Sequence, residues 1–233
     1  MTLSLPKYPD AQMPKSDWLI WQLVDSAFPA GGFAHSFGLE AAWQQGEVDA
    51  ASLPAFVRDA IAQAGHSGLP FVLAAFDDPR RVALVDERCD AFLRNPVANR
   101  ASRVQGRAWL GTVERSFPRD DVRQEIAAIR ARSGRRHFTP IVGATLSALG
   151  VDRSDAARLF LFGAARGTLS AAVRLGITGT TDAQRMLSER AGDLDRTIER
   201  CSGLAIEDAA QTSPLVDLWQ ASHDRLYSRL FIS

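Results

Sequence analysis

The sequence predicts an all-α protein, a single-domain bundle of roughly ten helices. Three observations carry this. Long stretches repeat their apolar residues at the 3.6-residue helical period. Short β-branched runs between turn signals are few. Pro, Gly, Asn and Asp punctuate the chain where one helix would stop and another begin. A length of 233 residues suits one large domain. Residues 1–15 contain Pro6, Pro9 and Pro14 and no periodic pattern, and read as a mobile arm. The domain then occupies residues 16–233.

Taken in order, Ser16 or Asp17 caps a first helix running to about Ala27. The run Phe28-Pro29-Ala30-Gly31-Gly32-Phe33 breaks it. A second helix is expected from about Ala34 to Gln45, with Gly46 as its C′ residue. Ser52 precedes a helix through Ala64, and Gly68-Leu69-Pro70 restarts one that ends near Asp77. Asp78-Pro79 and Asn95-Pro96 each pair an N-cap with proline at the first helical position, and their helices reach about Arg94 and Ser116. After Pro118 a charged amphipathic helix covers Arg119 to Arg132. Thr139-Pro140 opens one that stops at Gly150, and Ser154 caps a long one to Leu175, with Gly176 beyond. Thr181 caps a helix through Cys201, and the chain from about Ile206 to Leu226 reads as helical.

Composition excludes several classes. Lys plus Arg and Asp plus Glu both total 27, so the bulk charge gives no pull toward nucleic acid or an anionic membrane. Lys7 and Lys15 are the only lysines, and arginine supplies the remaining cations. Forked arginines suit interfaces and bidentate contacts, although a GC-rich genome produces the same bias. Cys89 and Cys201 are far apart and form neither a disulfide framework nor a zinc pattern, so both read as thiols in a reducing compartment. Residues 1–15 lack the apolar stretch of a signal peptide, and no run reaches membrane-spanning length. The expected location is the cytoplasm.

Four segments carry information. Leu23 to Glu40 (LVDSAFPAGGFAHSFGLE) interleaves glycines and polar residues with phenylalanines. It reads as a tight aromatic corner or as a binding site, and not as a phosphate loop, because no GxxxxGK[ST] string occurs. In Asn95 to Arg107 (NPVANRASRVQGR), Arg100, Arg103 and Arg107 fall within roughly 60° on one helical face. They suit a carboxylate-rich partner or a phosphate, or form a solvated face paired with acids of the fold. Ala98, Ala101 and Ala108 line another face. Leu159 to Gly176 (LFLFGAARGTLSAAVRLG) is apolar almost all round and so central, with Gly163 and Gly167 implying close backbone contact with a neighbouring helix. Arg166 and Arg174 in that setting each require a partner, either a buried carboxylate or a second chain. The last segment, Ser213 to Ser233 (SPLVDLWQASHDRLYSRLFIS), ends in apolar residues that either fold back onto the bundle or dock on another protein.

Catalytic sets are not signalled. His35, His66, His137 and His223 form no HxxxH pair, and there is no GxSxG elbow or Cys-His signature. Asp86, Glu87 and Asp90 form an acidic patch on one helix, with Asp90 and Arg94 spaced for a helical ion pair.

Together these segments resemble the urease accessory protein F (UreF) family. QLVDSAFPAGGFAHSFGLEAA, NPVANRASRVQGRAWL, HFTPIVGATLSALG, LFLFGAARGTLSAAVRLG and the terminal SPLVDLWQASHDRLYSRLFIS match its motifs in order, from Trp18 to Ser233. Ile232 departs from the pattern, where the family commonly has a polar residue. The resemblance implies an all-α, commonly dimeric protein that joins a second accessory protein (UreD, also called UreH) and the GTPase UreG. That assembly supports carbon-dioxide- and GTP-dependent nickel insertion into apo-urease. It further implies no catalytic residue, no metal ligand and no stably bound cofactor on this chain, nickel and GTP being handled by the complex. By resemblance, Pro29, Gly31, Gly32, His35, Ser36, Gly38 and Glu40 form a shaped corner that positions partner-facing groups. Arg225, Tyr227, Arg229, Leu230 and Phe231 carry docking to the second accessory protein, and Arg166 and Arg174 are subunit-interface candidates. The rival reading is a helical metal-binding or metal-dependent enzyme using His35 and His223. A third is an activator that inserts an arginine into the GTPase site.

Overall fold

The computed structural model of the chain describes residues 16–29 and 31–233. The expected arm, residues 1–15, lies outside the described residues. Among those described there are twelve α-helices, four short 3-10 turns and no strand. The chain is therefore all-α, as the periodicity predicts. The helices are α1 (Ser16–Val24), α2 (Leu39–Gln44), α3 (Leu53–Ser67), α4 (Leu69–Asp77), α5 (Val82–Phe92) and α6 (Pro96–Ser116). They continue as α7 (Asp120–Arg132), α8 (Phe138–Ala148), α9 (Arg153–Arg174), α10 (Thr180–Glu189), α11 (Ala191–Cys201) and α12 (Pro214–Ser222).

Apolar stripes meet in two clusters. One joins α4, α5, α6, α7 and α8 around Phe71, Leu110, Ile126 and Ile141. The other joins α2, α3, α9 and α10 around Leu39, Ile61, Leu169 and Met186. Helix α9 contributes Ala156 and Leu161 to the first and Ala165 and Ala172 to the second. That double role explains its nearly all-round apolar sequence.

Boundaries set by local chemistry fall where expected. The Asn95 Oδ1 accepts from the amides of Val97 at 3.0 Å and Ala98 at 3.3 Å, starting α6. Asp78 accepts from the Arg80 amide through a 3-10 turn that leads into α5. Gly46, Gly150 and Gly176 close their helices at φ of 77°, 75° and 74°.

Other boundaries fall elsewhere. Helix α1 stops at Val24 because the Asp25 carboxylate accepts from the Ala27 amide at 2.9 Å. Helix α2 begins at Leu39 and not near Ala34, since residues 34–36 bond to the end of the chain. The single helix expected over residues 181–201 is two, turning at Arg190 with ψ near 1°, two residues before the weak helix former Gly192. The stretch from Ile206 is not one helix. The Gln63 side-chain oxygen accepts from the amides of Thr212 at 2.7 Å and Ser213 at 2.8 Å, holding that strand of chain against α3 until Pro214 starts α12.

The close helix contacts expected at Gly163 and Gly167 also lie elsewhere. A Cβ on Gly163 would meet nothing within 4 Å, and one on Gly167 would meet the Phe37 ring edge at 3.2 Å. Backbone proximity occurs instead at Gly143, where a Cβ would sit 1.9 Å from the Val72 carbonyl oxygen, pressing α8 onto α4. Gly143→Ala is therefore expected to cost at least ~2 kcal/mol of stability. Gly163→Ala is expected to add roughly 0.5–1 kcal/mol through helix propensity. Denaturant unfolding of the two variants checks both signs.

Candidate functional site

The first and last of the four segments meet. Phe37 and Gly38 take consecutive left-handed conformations, φ 54° and 88°, which turn the chain into α2 and aim Glu40 inward. Gly38 is required twice over, because a Cβ there would lie 2.9 Å from the Val216 carbonyl oxygen and 3.1 Å from the Gln220 nitrogen of α12.

Glu40 is 1% exposed, and its carboxylate organises the last residues of the chain. One oxygen accepts from the Leu230 amide at 2.5 Å. The other accepts from the Phe231 amide at 3.2 Å and from His223 Nε2 at 2.8 Å. Alongside, the Ser36 amide donates to the Ser233 carbonyl at 2.6 Å, and the Ile232 amide donates to the Ala34 carbonyl at 2.8 Å. The Ser36 hydroxyl reaches the same Ser233 oxygen at 3.1 Å, and Gln44 Nε2 donates to the Ser228 carbonyl at 2.9 Å. The terminal segment therefore folds back onto the bundle, as one of the two expected outcomes has it.

His35 is buried, with Nδ1 2.5 Å from Ser233 Oγ. Burial, and then the charge of His223, push its pKa from 6.5 down to about 4, so the ring is neutral near pH 7. In the rival enzyme reading His35 and His223 would ligate a metal. Here His223 Nε2 is engaged by Glu40 and His35 Nδ1 by Ser233. Among the described residues no group of three or more His, Cys, Asp or Glu is placed to hold a metal ion. Cys89 and Cys201 are both buried, and burial pushes the Cys89 thiol up to about 12 and raises that of Cys201.

The remaining expected site residues divide by exposure. Pro29 is exposed and its carbonyl accepts from Thr112 Oγ1 at 2.9 Å. Gly31 adopts φ 76°, and a Cβ there would lie 3.1 Å from the Ala108 Cβ, whereas Gly32 stands in open space. Ser36, Gly38 and Glu40 are buried and shape the corner from within. In the tail, Tyr227 is fully exposed and Leu230 is 52% exposed, while Phe231 is 5% exposed and points inward. Arg229 lies 3.5 Å from Asp224, and Arg225 is exposed without an ion pair among the described residues.

Of the two expected partners, the buried carboxylate is not found: neither Arg166 nor Arg174 forms an ion pair among the described residues. Arg166 donates to the Val24 carbonyl, and burial lowers its pKa against the opposing pull of Asp25. Arg174 donates to the Phe33 carbonyl, with its guanidinium 3.8 Å from the Phe33 ring centre and 4.3 Å from that of Phe231. The second and third segments join the corner by lining one cavity of about 610 Å³ with it, through Gln105, Phe162 and Gly163 together with Phe28 and Gly31.

The acidic patch on α5 has a different role from the helical pairing expected of it. Asp86 is 1% exposed and accepts from the amides of Arg135, Arg136 and His137 at 2.7, 2.9 and 2.7 Å. Asp90 pairs with Arg135 and His137, not with Arg94. The signal was present: Asp86 shares the buried stripe of Val82, Val85 and Cys89.

Fold and site together define an all-helical protein whose buried polar groups hold a surface in shape. The UreF family model matches residues 48–191, more than half of the chain. A urease accessory protein F of Oryza sativa subsp. japonica is 36% identical over 221 residues, covering 92% of this chain and 84% of the relative. One from Arabidopsis thaliana is 36% identical over 221 residues, covering 93% and 92%. A urease accessory protein UreF of Trichodesmium erythraeum is 30% identical over 226 residues, covering 91% and 94%. The chain belongs to the urease accessory protein F family.

Two outcomes follow from the clamp. The unfolded chain takes up a proton near pH 6.5 at His35, and the folded chain resists until about pH 4. Stability from this group is thus present above pH 6.5 and lost as pH falls toward 4, by about 3 kcal/mol. Burial lowers the pKa of His137 too, in the same direction. Unfolding midpoints across that window should fall, and His35→Asn should flatten part of the fall. Glu40→Ala leaves His223 and two amides without an acceptor and is expected to cost roughly 3–5 kcal/mol. Amide exchange at Leu230 and Phe231 should accelerate well before the core opens.

Proposed function

We propose that this chain is a binding subunit of the urease-maturation machinery and not an enzyme. In this reading it works with UreD/UreH and the GTPase UreG on apo-urease, in the cytoplasm. There it supports GTP-dependent nickel insertion, and the assembly, not a cofactor held on this chain, carries nickel and GTP. Family membership supports the general role. The observation that carries the docking role is the division of labour in the last residues. Glu40, His35 and residues 34–36 hold the backbone inward, while Tyr227, Leu230 and Ile232 are exposed, as is Phe33 at 70%. An apolar surface on a fixed backbone binds with little further loss of freedom. The proposed subunit interface of a homodimer includes Arg174, whose stacked ring Phe33 lies on that surface.

Cells carrying a urease gene cluster test the role. Without this chain their urease should be nickel-poor and inactive, and adding the chain back should restore both. Tyr227→Ala combined with Leu230→Ala should weaken co-purification with UreD/UreH roughly tenfold or more, while leaving stability within about 0.5 kcal/mol. Full urease activity without the chain would overturn the role. Undiminished capture by the double variant would overturn the docking surface alone.

A further inference from the structure

The arginine stripe read on α6 forms one wall of a surface cleft of about 520 Å³. Every charged side chain lining it is an arginine: Arg94, Arg100, Arg103 and Arg107. Arg100 alone is engaged, through a forked contact to the two oxygens of Asp224 at 2.8 and 3.0 Å. Arg94, Arg103 and Arg107 form no ion pair among the described residues. Four like charges share one concave face of a chain whose total charge is zero.

The geometry points to this cleft as a docking site for an acidic protein segment. Three observations choose that occupant. First, the chain already places a carboxylate there: both oxygens of Asp224, on the turn after α12, accept from Arg100 Nη2, a charge-assisted contact of the kind guanidinium groups favour. Second, Arg103 and Arg107 repeat the offer one turn apart, about 6 Å along the helix axis. Carboxylates at alternate positions of an extended chain, or one turn apart on a helix, have nearly that spacing. Third, the features a phosphate or a nucleotide would use are taken or missing. The amides of Val97 and Ala98 at the start of α6 are occupied by Asn95. No aromatic side chain lines the cleft to stack a base.

The site is held in place independently of any ligand. Asn99, on the cleft wall, donates to Asp90 at 3.0 Å and to the Leu93 carbonyl at 3.2 Å, fixing the chain between α5 and α6. Asn95 donates to the Asp217 carbonyl at 2.9 Å and ties α12 to the same corner. An acidic segment therefore meets a formed row of guanidinium groups, with Asp224 already marking one end.

Fluorescence anisotropy of a labelled hexaglutamate peptide with the full chain tests the site. Saturable binding that weakens with salt is expected. Arg103→Glu with Arg107→Glu should weaken it about tenfold or more. Arg123→Glu with Arg132→Glu, two exposed positions on α7 that change the net charge equally, should stay within about twofold. Inorganic phosphate should displace the peptide no better than chloride at matched ionic strength. Absence of binding by the unaltered chain, equal loss in both double variants, or preferential displacement by phosphate would each overturn the proposal.

Discussion

A carboxylate that is almost wholly buried has to be surrounded by donors, and Glu40 draws its donors from the far end of the chain. Burying an unpaired anion costs several kcal/mol, so the fold is viable only with the oxygens filled. The partners of Glu40 lie 183, 190 and 191 residues away in sequence. They include two backbone amides in a segment that has no regular secondary structure. Ordering each residue of such a segment costs about 1–2 kcal/mol of entropy. The clamp and the burial of Phe231 offset that cost. The corner before α2 is shaped by the same demand, since Phe37 and Gly38 must turn left-handed for Glu40 to face inward.

Asp86 uses the same device elsewhere. It gathers three successive amides and fixes the irregular stretch between α7 and α8, where Arg136 sits at φ 62°. That stretch presses against α6 at Gly106, where a Cβ would lie 2.0 Å from the Arg136 carbonyl oxygen. In both cases a carboxylate on the buried stripe of a helix replaces secondary structure as the organiser of its neighbour. Asp90, one turn beyond Asp86, then links His137, Arg135 and Asn99, so that the start of α6 inherits its position from this cluster.

This explains which parts of the structure were legible in the sequence. Boundaries written by neighbouring residues were readable: Asn95 before Pro96, Asp78 before Pro79, and the closing glycines 46, 150 and 176. The central position of α9 was readable from its apolar face. Boundaries imposed by distant donors and acceptors were not. Nothing in residues 34–38 announces that Ser36 will bond to Ser233, and nothing in residues 209–213 announces Gln63. The corner and the tail could be singled out as segments, yet their meeting through Glu40 is a fact of tertiary structure. Gly163 shows the opposite limit: its presence suggested a close contact, and the structure leaves the space beside it open.

Arginine connects the buried order to the exposed surface. Arg174 donates to one carbonyl and stacks on two rings at once, an arrangement that a planar fork permits and an ammonium group does not. One of those rings, Phe231, belongs to the core, and the other, Phe33, stands 70% exposed. The guanidinium thus links the core to a side chain that faces outward. Tyr227 and Leu230 are exposed on a backbone held by Glu40 and Gln44. In the proposed docking role, a backbone already held spares part of the ordering cost of binding. The donors that satisfy Glu40 thus also fix the backbone from which Tyr227 and Leu230 are exposed.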